Sequence, residues 1–150
     1  MKSLLVVLLL FMLVGCSEEQ PVSYSKKEEV KAADLLVDVD LTSLSNTMLY
    51  AKIYDIMDSP KDYLGKTIKI VGMFAKGEDE DGNNHYAIAA SDLAGCCVSA
   101  LEFIWVGDHV YTDDYPELNQ VIKIQGEFKT FEYKGNTMYY IETHDIMIFK

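Results

Sequence analysis

One amphipathic helix followed by five short strand-like segments predicts a mainly β domain, a five-stranded Greek-key barrel with an N-terminal helix. Three observations carry that expectation. Strand-like segments recur at 67–74, 85–90, 96–105, 121–130 and 137–149, and the first and fourth of them alternate with period two. Helical spacing occurs once, ahead of the strands, at 46–57. The pattern I-K-I-x-G-x-F occurs twice, as Ile68-Lys69-Ile70-Val71-Gly72-Met73-Phe74 and as Ile122-Lys123-Ile124-Gln125-Gly126-Glu127-Phe128.

The repeated pattern places Ile, Ile, Gly and Phe on one face of the first and the fourth strand, because strand side chains alternate. A glycine in mid-strand allows the bulge or strong coil that barrel closure requires. In an OB barrel these two strands pair, so matched glycines there would let them curl together. The expected architecture is therefore OB-like.

Before the barrel, the chain begins as an address. Lys2 gives a positive start, Leu4 to Val14 is unbroken apolar sequence, and small Gly15 precedes Cys16. The run is too short to span a bilayer, which takes about 20 residues. Leu13-Val14-Gly15-Cys16 resembles a bacterial lipobox, in which the peptide before the cysteine is removed and the cysteine thiol is diacylated. Residues 1–15 are thus expected to be a cleaved lipoprotein signal peptide, Cys16 the lipidation site, and 16–36 a flexible polar tether. The domain is expected over 37–150.

Within that domain Val37, Val39 and Leu41 alternate with Asp38 and Asp40, as in a short arm or edge strand. The carboxylates are read as a charged edge that resists intermolecular pairing, in preference to an ion site. Ser45 or Asn46 caps the helix, whose Leu49, Ile53 and Ile56 form one stripe. Pro60 ends it, since the residue before proline avoids helical geometry. Lys76 to Asn84 and Glu132 to Asn136 have hairpin-turn composition. The link 106–120, where many OB folds carry a helix, is expected to be irregular.

Removal of the signal leaves 12 Lys against 24 Asp and Glu, a formal balance of −12, and the chain contains no Arg. The bidentate forks that grip phosphate are missing, so nucleic acid is not expected as a partner. Such acidity also suits a domain held off anionic lipid by a tether.

Several blocks together resemble a family of uncharacterised lipoproteins from Gram-positive, clostridia-like bacteria: Asp40-Leu41-Thr42, Tyr50-Ala51, Tyr63-Leu64-Gly65-Lys66-Thr67-Ile68-Lys69, Cys96-Cys97, Leu101-Glu102-Phe103 and Asp114-Tyr115-Pro116. More distantly, the Cys-Cys segment resembles the exported C-terminal domain of a putative two-subunit permease family, which implies an OB-like fold. Relatives there often carry a further Cys in the second strand. Here that strand reads Tyr86-Ala87-Ile88-Ala89-Ala90, so no role needing three thiols is implied.

For chemistry, Cys96 and Cys97 stand out. On a regular strand the two side chains point to opposite faces, so one thiol packs and the other is half exposed. A bulge at Gly95 would let both converge on a soft metal such as Zn, with His85, His109, His144 or Glu102 completing the set. A thiol nucleophile would need a base or cation beside it, and none is near in sequence. The acidic run 78–84 has oxygen ligands for Ca but lacks EF-hand spacing, and is read as a solvated hairpin tip. Phe131 and Tyr133 lie beside the last hairpin, which flanks the ligand face in OB domains. With no catalytic triad or phosphate loop, the chain is expected not to be an enzyme. The expectation is a lipid-anchored extracytoplasmic binding or interaction module, with a membrane or cell-envelope protein as its partner and no cofactor. The alternatives are a metal-binding or metal-delivery lipoprotein using Cys96 and Cys97, and a thiol-dependent enzyme.

Overall fold

A computed structural model describes residues 36–149. The signal peptide, Cys16 and nearly all of the tether lie outside the described residues.

The strands are β1 (Val39–Asp40), β2 (Thr67–Glu78), β3 (Asn84–Ser91), β4 (Val98–Trp105), β5 (Val121–Tyr133) and β6 (Asn136–Ile148), with helix α1 (Asn46–Asp58) between β1 and β2. Their order in the sheet is β1-β2-β3-β4-β6-β5, and β2 pairs again with β5 to close the barrel. Leaving out the two-residue arm, the first strand joins the fourth and the third runs parallel to the fifth. That order is an OB-like barrel, as the repeated motif predicts.

Closure is built from the repeat itself. Ile68 pairs with Gly126, Ile70 with Ile124 and Gly72 with Ile122, so the first isoleucine of each copy faces the glycine of the other. The ladder has local two-fold symmetry about the Ile70–Ile124 pair. The two glycines therefore lie at opposite ends of one seam. Neither has a positive φ. Each is needed because another group occupies the space of its side chain.

At Gly126 that group is backbone. Ile124 pairs with Ile146 but Gly126 pairs with Thr143, so β6 carries an extra residue and bulges opposite Gln125. Buried Thr143 serves the bulge: its hydroxyl lies 3.0 Å from the Gln125 carbonyl and 2.9 Å from that of Asp145. At Gly72 the space is filled by Ile88, whose Cγ2 would sit 2.6 Å from an added Cβ.

Ile68, Ile70, Phe74, Ile88, Leu101, Phe103, Ile122, Ile124, Phe128 and Ile141 form the barrel core. Helix α1 begins at Ser45, whose Oγ accepts the Met48 N–H, and it lies against β3 and β4. Leu49, Ile53 and Ile56 are buried, each worth about 1.5–3 kcal/mol in apolar transfer. The helix thus covers the barrel from the N-terminal side of the sequence. The 106–120 link is irregular, as its composition predicts, and seats Tyr111 and Tyr115 on Tyr86 at ring separations of 5.8 and 4.1 Å.

The arm pairs parallel to β2, with Val39 beside Ile68. Its carboxylates have structural partners: Asp38 accepts the Thr67 N–H at 2.8 Å, and Asp40 accepts both the N–H and the hydroxyl of Thr42.

Strand boundaries differ from expectation in both directions: β2 runs on through Lys76 and Gly77 to Glu78 and β5 to Tyr133, whereas one strand starts late. β4 starts at Val98, so Cys96 and Cys97 belong to the loop after β3 and not to a strand. Asp92 makes the difference, by drawing the two N–H groups that a ladder would have used onto its own carboxylate.

Candidate functional site

The register places small residues side by side. Ala75 pairs with Ala87, Ala87 with Glu102, Gly77 with His85 and Ala89 with Ala100. Directly opposed residues share a face, so Ala75, Gly77, Ala87 and Ala100 leave a trough where larger side chains would fill it. The groove measures about 430 Å³, with His85, Glu102 and Lys76 as its charged lining and Met57, Met138 and Tyr139 among its walls. That volume and its mainly apolar surface fit small-ligand sites of roughly 300–1,000 Å³.

At its mouth the two hairpins are tied together. Tyr133 donates its hydroxyl to Asp79 Oδ2 at 2.5 Å, and Asn83 Nδ2 reaches both Asp79 and the Tyr133 oxygen. Lys134 pairs with Asp81 at 2.6 Å. The Tyr133 and Asn83 donors hold the Asp79 carboxyl far below the usual range, and the hydrogen bond to Asp79 in turn raises the Tyr133 phenol. His85 stands between two carboxylates, with Nδ1 at 2.6 Å from Glu102 and Nε2 at 3.5 Å from Asp79.

The Glu102 bond raises the His85 pKa above its ordinary value; desolvation opposes it, and Asp79 adds to the rise. A raised folded-state pKa means the protonated form stabilises the fold. That contribution is complete below the unfolded value of about 6.5 and disappears as pH climbs through the higher folded value. We expect the melting temperature to fall more in the wild type than in His85→Gln between about pH 6 and about pH 8.5. Parallel slopes in a thermal melt series would remove His85 from the charge balance.

The residues singled out from sequence therefore separate. His85, Glu102 and Tyr133 meet at the groove, with Phe131 beside Tyr133 at 6.4 Å between ring centres. His109 stacks on Trp105 at 3.6 Å, and exposed His144 accepts the Trp105 indole N–H through its carbonyl. Neither histidine joins the cysteines. Cys96 and Cys97 are both exposed, with Sγ atoms 3.7 Å apart, instead of facing opposite ways. Gly95, at φ +70°, turns the chain so that they converge.

Asp92 completes this loop and was missed by spacing rules. Its Oδ1 accepts the N–H groups of Cys96 and Cys97 at 3.0 and 3.3 Å, leaving Oδ2 at 3.3 Å from Cys96 Sγ. Desolvation raises the Asp92 carboxyl, but the donors of Cys97, Cys96 and Gly95 together outweigh it and the net shift is downward. The Cys97 thiol and the Asp92 carboxylate push the Cys96 thiol up, which keeps it protonated and a poor nucleophile. Asp79 belongs to the acidic run whose composition predicts no more than a solvated hairpin tip. Its signal was the Asp-x-x-Gly-Asn turn chemistry within 79–83.

No family model matches the chain, and no curated protein matches it. Among solved structures it is similar to the dimeric N-terminal domain of PriB protein from Thermoanaerobacter tencongensis, at 15% identity over 56% of this chain and 96% of that one, with a TM-score of 0.33. So loose a likeness carries nothing onto these residues. The barrel assignment stands on strand order and pairing.

Proposed function

We propose that the chain is a lipid-anchored extracytoplasmic lipoprotein whose OB-like domain is a binding or interaction module and not an enzyme. The observation that carries the binding role is the groove: a floor of small residues, open at the surface, with the His85–Glu102 pair on it and two hairpins locked beside it. An apolar side chain or chain segment bearing a polar group fits that floor, with the polar group directed at His85 and Glu102. The sequence supports the anchoring role through Leu13-Val14-Gly15-Cys16. No helix among the described residues is long and apolar enough to cross a membrane. The formal balance of −12 and the lack of Arg favour a membrane or cell-envelope protein as partner over nucleic acid.

A photoreactive residue placed at Ala100, inside the groove, should give defined adducts in intact cells. The same residue at Leu118, exposed on the 106–120 link, should not. Adding Glu102→Ala to the Ala100 probe should reduce those adducts severalfold. Equal labelling from Leu118, or labelling indifferent to Glu102, would refute the groove as the binding face.

A further inference from the structure

We infer that the loop between β3 and β4 is a binding site for a thiophilic divalent cation of the zinc class, held by Cys96, Cys97 and Asp92. It lies at the opposite end of β3 from His85 and so is separate from the groove. Among the described residues, these three form a cluster whose ligand atoms all lie within 4.8 Å of one another.

The spacing matches what such an ion requires. Two thiolates bound to zinc at about 2.3 Å with a tetrahedral angle between them stand about 3.8 Å apart, and a thiolate and a carboxylate oxygen about 3.5 Å apart. The observed separations are 3.7 Å between the sulfurs and 3.3 Å from Cys96 Sγ to Asp92 Oδ2. Two of the three separations therefore already match one ion, and the third, between Cys97 Sγ and the Asp92 carboxylate, is at most 4.8 Å, so a rotation of the Cys97 side chain completes the set.

The donors are also pre-oriented. Oδ1 of Asp92 is occupied by the Cys96 and Cys97 N–H groups, which aims Oδ2 at the thiols. Asn46, the first residue of α1, donates to the carbonyl and the hydroxyl of Ser91 at 3.0 and 2.8 Å and so ties the base of the loop to the helix. On binding, the two thiol protons pass to solvent and the cation takes their place, with the carboxylate already ionised. Three protein ligands on an exposed loop leave a fourth position for water or for a donor atom from a partner.

The test uses the full chain, isolated in detergent, reduced and freed of metal, then titrated with zinc alone. Alkylation is read by peptide mass spectrometry, which distinguishes Cys96 and Cys97 from Cys16. One zinc per chain is expected, with Cys96 and Cys97 protected together and released together by a chelator. Asp92→Ala should weaken binding by more than about tenfold, since even outer-shell partners of metals typically contribute 10–100-fold. Asp92→Asn keeps an oxygen for the loop N–H groups and should also weaken binding, which separates loss of a ligand from loss of the loop's shape. Absence of zinc uptake, protection of a single thiol, or unchanged affinity in both Asp92 variants would overturn the inference. The groove adducts from Ala100 report on a different surface, so failure of either proposal leaves the other intact.

Discussion

Gly126→Val is expected to abolish folding or to lower stability by more than about 4 kcal/mol, well beyond the usual effect of one surface-strand substitution. An ideal Cβ at position 126 would overlap the Glu142 carbonyl oxygen, lie 2.6 Å from the Glu142 carbonyl carbon and lie 2.9 Å from Ile141 Cγ2. Backbone cannot rotate out of the way as a side chain does. Relief requires moving β6 at its bulge, where the buried Thr143 hydroxyl lies within hydrogen-bond distance of the Gln125 and Asp145 carbonyls. Gly72→Val meets Ile88 Cγ2 at 2.6 Å, a side-chain atom with some freedom to shift, then the Ala89 carbonyl oxygen at 3.1 Å and Leu49 Cδ2 at 3.3 Å, and about 1–3 kcal/mol is expected there. Denaturant melts of the two variants check the order. A Gly126→Val domain as stable as the wild type would remove close backbone approach as the reason for the repeated glycine.

Cys16→Ala is expected to leave the chain uncleaved and without acyl mass. On the lipoprotein proposal the thiol is the acyl acceptor, and no other residue at that position can take its role. Each buried methylene contributes about 0.8 kcal/mol, so two chains together give an anchor that washing does not remove. Wild-type protein should partition into the detergent phase, with an intact mass that lacks residues 1–15 and carries acyl chains. A native protein of unmodified mass in the aqueous phase would end the proposal.

The barrel was legible because its strongest signals are local. Alternation marks the first and fourth strands, and the two I-K-I-x-G-x-F copies predict that these two close the barrel without any contact being known. The irregular link was legible from composition. The groove was not, since the nearness of His85 and Glu102, 17 residues apart, depends on the β3–β4 register. Nor was the convergence of Cys96 and Cys97. Cys-Cys-Val leading into a strand looks like more strand, whereas the side chain of Asp92 competes with the ladder for the same N–H groups and wins. Gly95 hinted at this turn. A glycine before two cysteines does not say which way they will face.

The parallel arm also fixes where the chain enters the domain. Asp38 N–H bonds to the Thr67 carbonyl and Leu41 N–H to that of Lys69, so the chain enters the barrel at the start of β2. The Asp79–Tyr133 junction lies past the other end of that same strand, after 12 residues and roughly 35–40 Å of strand length. The 20 steps from Cys16 to Leu36 span at most about 70 Å. On the lipoprotein proposal the anchor joins the domain at the arm, and a tug from the membrane reaches it at the start of β2, one strand length from the surface proposed to meet a partner.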